Sequence, residues 1–246
     1  MEKVKKTLIG FIAGFISGLF ASGGGLILVP AFIYVLKMNE KISRGTAVLC
    51  VLPMVITSSI FYYKQNYINW GIGIKCAMGG IIGGIIGSKL LKILPVKIVK
   101  LLFAFFLLYI SIKMFFYNGW KMLEIIYGII AGIVTGLGMG GGTVLILLLT
   151  LFKNIDQHIA QATNLIFFIP TSIAAVIINL KQKNIDLKLT ISISFFGIIG
   201  AIIGAIFSKN ISSEYLRKYF AIFVFVIAIH EIYELLKEYK KKRNNA

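Results

Sequence analysis

The chain has 246 residues, of which 58% are hydrophobic and 14% charged, with a net charge of +17 and a mean hydropathy of +0.90. A soluble domain carries roughly a quarter of its residues charged, so this composition excludes one and points to a chain folded in a bilayer. The lysines stand in connecting stretches and in the tail "KEYKKKRNNA" rather than on one amphipathic face, which argues against a nucleic-acid surface and fits loop charges that orient membrane spans.

Eight apolar blocks follow in chain order, at 7–36, 45–63, 70–91, 98–117, 122–152, 161–180, 187–207 and 215–236. They predict an all-α polytopic integral membrane protein. The opening has the basic start of a secretory signal, but its apolar run continues to Leu36, so an uncleaved first segment is expected. The first and fifth blocks are too long for one crossing, since each as a continuous helix would measure roughly 45 Å against a hydrocarbon core of about 30 Å. Both carry a glycine cluster, "ASGGGLILVP" at 21–30 and "GMGGGTVLIL" at 138–147.

The coincidence comes from an internal repeat. "GFIAGFISGLFASGGG" (10–25) matches "GIIAGIVTGLGMGGGT" (128–143), with Gly10, Gly14, Gly18, Gly23 and Gly24 over Gly128, Gly132, Gly136, Gly141 and Gly142. The match resumes one residue shorter: Thr46 lies over Thr163, Pro53 over Pro170, "KQNYIN" (64–69) over "KQKNID" (181–186), and "GGIIGGIIG" (79–87) over "FGIIGAIIG" (196–204). Two homologous four-block halves are therefore expected, residues 1–118 and 119–246, within one integral domain. If every block crosses once, the Lys and Arg divide about 15 to 11 between the two sides; if the first and fifth blocks enter and return, they divide about 18 to 8. The second arrangement fits the positive-inside rule better. It makes the halves inverted repeats, with the first segment of each broken or re-entrant at its glycine cluster and both termini cytoplasmic.

A broken helix exposes backbone N–H and C=O groups that lipid cannot satisfy, so a break at membrane depth is tolerated where it lines a watery cavity or holds a polar solute. The N–H groups that open the second half-helix carry partial positive charge and suit an anion. Gly10, Gly14, Gly83 and Gly87, at four-residue spacing, read as close helix packing. Three consecutive glycines exceed what packing needs, so Gly23, Gly24 and Gly25 with Gly140, Gly141 and Gly142 are the candidate substrate site. Ser22, Thr46, Thr163 and Asn164 join them as uncharged donors inside apolar blocks, and Ser17 and Thr135 are equivalent hydroxyls in the first half-helices. Arg44, before Thr46, reads as a loop marker, Gln65 and Gln182 as solvated, and His158 as a loop histidine without metal-ligand companions. Lys113 and His230 read as interfacial. Cys50 and Cys76 read as buried, inert thiols, and no metal or other cofactor is expected.

These glycine-rich motifs, the second block "RGTAVLCVLP" with its copy "QATNLIFFIP", and the length resemble the TauE/SafE family of membrane sulfite exporters. The resemblance spans essentially the whole chain. It implies transport of small anions such as sulfite, organosulfonates or sulfoacetate. One departure is Leu148 standing over Pro30, which predicts a less bent half-helix in the second copy. The expectation is a non-enzymatic secondary transporter, an exporter in a prokaryotic plasma membrane, working by alternating access around the paired breaks. Its partners would be a small anionic substrate and membrane lipid, with no nucleic acid and with homo-oligomerisation left open. The alternatives are a membrane-embedded enzyme acting on lipid or phosphate esters, for which no acid–base set is evident, and an accessory subunit of a membrane complex.

Overall fold

The computed structural model describes residues 2–95 and 124–243. The apolar block at 98–117 and Lys113 lie outside the described residues. Among those described there are nine helices and no strand: α1 (Glu2–Phe20), α2 (Gly25–Pro30), α3 (Glu40–Tyr63), α4 (Trp70–Ile93), α5 (Glu124–Gly136), α6 (Gly141–Phe152), α7 (Gln157–Lys181), α8 (Leu187–Lys209) and α9 (Ser213–Arg243). Helices α3, α4, α7 and α8 are long and apolar enough to cross a membrane, whereas Gly25–Val35, α5 and α6 are shorter apolar pieces. After Pro30 helix α2 loosens into a π-helical turn, Ala31–Val35, while α6, where the 117-residue spacing of the caps puts Leu147 rather than Leu148 in the matching place, runs on as α-helix to Phe152.

The four long helices begin where a side chain can cap them. Asn39, Asn69, Asp156 and Asp186 accept the backbone N–H groups of Lys41, Ile72, His158 and Leu189, each cap worth about 1 kcal/mol over alanine. The caps fall in pairs 117 residues apart. The left-handed residues that close the preceding helical segments are paired the same way, Lys37 (φ 54°) with Asn154 (φ 51°) and Asn66 (φ 57°) with Lys183 (φ 58°).

Contacts sort the helix ends into two groups. At one end Lys41 donates to the carbonyl of Lys92 at 2.8 Å, and the N–H of Asp186 donates to the hydroxyl of Thr46 at 3.0 Å, which ties the segments around 37–46, 89–95 and 181–188 together. At the other end Tyr67 stacks on His158, His158 bonds the carbonyl of Ile211, Ser213 donates to Asp156, and Lys153 pairs with Glu124. Here His158 departs from the loop position expected of it. It is the second residue of α7 and buried, because Tyr67 covers its ring and Ile211 takes its Nε2.

The glycine rows let backbone meet backbone. Along α1, methyl groups on Gly10, Gly14 and Gly18 would collide with the carbonyls of Ile193, Gly197 and Ala201 on α8. Along α5, methyls on Gly128, Gly132 and Gly136 would collide with those of Cys76, Gly80 and Gly84 on α4. Gly83 and Gly87 in return face the carbonyls of Ile129 and Ile133. Lipid offers no hydrophobic drive between helices, so such close van der Waals contact carries the association. Helices α3 and α7 pack on each other and on α8 and α4 between these two pairs, and Phe20 at the end of α1 holds α9 through Phe220 and Phe223. Apolar side chains such as Ile82, Ile191 and Phe195 face outward, as a lipid-facing surface requires.

Candidate functional site

The two breaks lie at Ala21–Gly24 and Leu137–Gly140, between α1 and α2 and between α5 and α6. Glycine is required there. Gly23, Gly24, Gly138 and Gly140 all have φ between 64° and 89°, the left-handed region open to glycine at no steric cost. The chain also doubles back: a methyl on Gly24 would stand 2.5 Å from the carbonyl oxygen of Ala13, and one on Gly141 would overlap the carbonyl of Ala131. In an unbroken helix residues 13 and 24 would be roughly 16 Å apart. These matched contacts set Gly24 opposite Gly141, so the one-residue slip in the repeat falls within the break rather than after it.

The breaks converge. A methyl on Gly25 would lie 3.7 Å from both the Cα and the N of Gly140, and Leu26 covers Gly140 from the other side. Val51 and Phe168, near the middles of α3 and α7, touch Gly23, and Phe168 also touches Gly142. The meeting point is therefore close to half-way along the crossing helices.

Ser22 is buried, its carbonyl turned towards Gly142. Asn164 is fully buried, and its Nδ2 donates to the carbonyl of Ala21 at 2.7 Å, satisfying one of the groups that the first break exposes. Thr135 lines the space beside the second break while its hydroxyl donates to the carbonyl of Ala131. Thr46 and Thr163 are not brought to the breaks. Their hydroxyls accept the N–H of Asp186 at 3.0 Å and of Asn69 at 3.3 Å, at opposite ends of the bundle.

A cleft remains at the second break, lined by Gly25, Ala47, Val48, Val51, Thr135, Gly138, Gly140 and Phe168. A second, adjoining cleft shares Gly25 and Gly138 with it and is lined also by Leu26, Val29, Pro30, Met139 and Arg44. The room within is ≈ 10 Å³ for the centre of a water molecule, space for about one water. Arg44 corrects a sequence reading: it is a residue of α3, 97% buried, and its backbone packs directly on Gly138. A guanidinium stays charged at any physiological pH, and no acidic residue is among those lining the cleft. The repeat itself carried the signal, since Arg44 and the buried Gln161 are equivalent positions one turn into α3 and α7.

The model of the sulfite exporter TauE/SafE family matches residues 7–231. Relatives named "probable membrane transporter protein" include one from Methanocaldococcus jannaschii, 25% identical over 85% of this chain and 88% of its own length. Another, from Haemophilus influenzae, is 25% identical over 91% of this chain and 95% of its own. A third, from Xylella fastidiosa, is 31% identical over 35% of this chain and 33% of its own length, so the match spans about a third of that relative. No solved structure matches the chain.

Proposed function

Given that this chain belongs to the sulfite exporter TauE/SafE family of membrane transporters, we propose that it exports small anions, of the class of sulfite, organosulfonates and sulfoacetate, by alternating access around its two converging helix breaks. The observation that carries the reading is Arg44, a buried cation lining a cleft made of broken-helix backbone. Gly140, the N-cap of α6, lines the neighbouring space, so the partial positive charge of that helix start lies close by, and a strongly hydrated anion leaving water needs such fixed donors.

Room for one water is too little for sulfite, whose four heavy atoms need several times that space, so on this reading transport requires the cleft to widen. The end bearing 37–46, 89–95 and 181–188 holds the larger share of Lys and Arg and is the cytoplasmic side. On that assignment α1–α2 and α5–α6 are re-entrant pairs, the halves 1–118 and 119–246 are inverted, and both termini lie in the cytoplasm of a prokaryotic cell. Expelling an anion from a negative interior is favoured by about 2.3 kcal/mol per charge per 100 mV, and among the described residues no carboxylate lines the cleft.

The test is flux in vesicles. Purified protein in liposomes loaded with sulfite, sulfoacetate or taurine, under an inside-negative potential, releases at least one of the two anions faster than protein-free vesicles. Release no faster than the control for every solute overturns the proposal.

A further inference from the structure

Helix α7 carries a row of polar side chains that neither the breaks nor the packing faces explain. Gln157, Gln161 and Asn164 stand at i, i+4 and i+7, on one face of the helix, and all three are buried. Their amides are only half used. The Nδ2 of Asn164 donates to the Ala21 carbonyl at 2.7 Å, and the Oε1 of Gln161 accepts from the Tyr62 hydroxyl at 3.0 Å. The Oδ1 of Asn164, the Nε2 of Gln161 and both polar atoms of Gln157 have no hydrogen-bond partner among the described residues. A buried amide without partners destabilises a fold, and an apolar side chain of similar volume at Gln157 would avoid that penalty.

The row leads somewhere. It begins at the end of the bundle opposite the cytoplasmic one, where His158, next to Gln157, meets Tyr67 and Ile211, and it rises about 10 Å to Asn164 at the first break. One turn further along the same face comes Phe168, which touches Gly23 and Gly142 and lines the cleft beside the second break. We infer that this face of α7 is the outward half of the transport route, and that Gln157, Gln161 and Asn164 line it, standing in for the hydration water of a small oxyanion on its way out. This rests on the transport reading and extends it from the breaks to the outer surface. Amides suit the task, because their N–H groups donate to the anion and their oxygens accept from the water that travels with it. They do so without a fixed charge that would hold the anion in place. The equivalent residues of α3 are Glu40, Arg44 and Ala47, none of them an amide, so the row is not a by-product of the repeat that gave both halves their glycines.

The experiment reads access and flux together. Gln157→Cys, Gln161→Cys and Asn164→Cys are made singly in the full chain, on a background lacking Cys50 and Cys76, and treated in intact cells with an impermeant anionic thiol reagent. The controls are Ala162→Cys and Ile166→Cys, on the same turns but turned away from the row, Ile166 lying against Gly73 of α4. All three row positions should react, at least tenfold faster than the controls. Should Asn164→Cys fail to fold for want of its bond to Ala21, positions 157 and 161 decide. Gln157→Met keeps the volume and removes two unpartnered polar atoms, so it should melt no lower than the wild type while sulfite flux per folded molecule in liposomes falls at least threefold. A merely structural role would not lower flux without lowering melting. Row cysteines that react no faster than the controls, or wild-type flux from Gln157→Met, overturn the inference. Reaction only in inverted membrane vesicles overturns its outward assignment together with the sidedness of the helix ends. A wild type that moves no sulfite counts against the transport reading instead, and labelling alone then decides whether α7 lines a watery path.

Discussion

The hydroxyl of Thr46 accepts the N–H of Asp186 at 3.0 Å, and 117 residues on, the hydroxyl of Thr163 accepts the N–H of Asn69 at 3.3 Å. Each threonine thus anchors the capping residue of a helix from the other half of the sequence, α8 in one case and α4 in the other. Replacing either with valine leaves a part-buried N–H without its acceptor, at a cost of about 1–3 kcal/mol. Thr46→Val and Thr163→Val should each lower the melting temperature and leave the half-saturating sulfite concentration of the folded fraction unchanged. A threefold or larger rise in half-saturation without a change in melting would return these hydroxyls to the binding site.

Substitutions at the break glycines divide by what a methyl would meet. Gly141→Ala drives a methyl into the carbonyl of Ala131, and Gly24→Ala adds a left-handed φ to a clash with that of Ala13, so both should reduce folded yield. Gly25→Ala is different, because its methyl finds only ordinary contact at 3.7 Å with Gly140 and projects between the breaks. That variant should accumulate and melt like the wild type while losing flux. Normal flux from well-folded Gly25→Ala protein would mean the meeting point of the breaks is not on the route.

Arg44→Gln copies the residue at the equivalent position 161 and removes the cation. The expected consequence is a rise of tenfold or more in half-saturating sulfite, equivalent to about 1.4 kcal/mol or more, with Arg44→Lys falling between because it keeps charge and loses the planar fork. Titration of flux against sulfite concentration checks it. Unchanged half-saturation in Arg44→Gln would assign the guanidinium to structure alone.

Sidedness follows from the way the helix ends meet. On a background lacking Cys50 and Cys76, single cysteines at Met38 and Lys183 should resist an impermeant thiol reagent applied outside cells, and cysteines at Gln65 and Lys209 should react. Labelling of position 38 together with protection of position 183 would place on opposite sides two segments that the Thr46–Asp186 bond holds together.

Much of this was legible before any coordinates. Excess length located the breaks, because a block of some 30 apolar residues has no place in a bilayer unless it bends, and four-residue glycine spacing located the packing faces. Arg44 and His158 were misplaced for one reason: block edges were drawn where hydropathy begins, whereas α3 and α7 start five and four residues earlier, at Glu40 and Gln157, behind the caps Asn39 and Asp156. The roles of Thr46 and Thr163 could not be read from one strand of sequence, since their partners lie 140 and 94 residues away.

The two glycine interfaces also differ in when they can form. Helix α5 meets α4 across about 50 residues of chain, Gly128 against Cys76, whereas α1 meets α8 across about 180, Gly10 against Ile193. At roughly 5–20 residues synthesised per second, the first pair can close within about 3–10 s of its earlier member's emergence. The second must wait about 10–40 s. Throughout that interval α1, the first segment made, presents bare backbone along Gly10, Gly14 and Gly18 with no partner yet in existence. Its docking is therefore the late step of assembly, an encounter between segments already in the bilayer, and α4 with α5 is the surface on which the rest is put together.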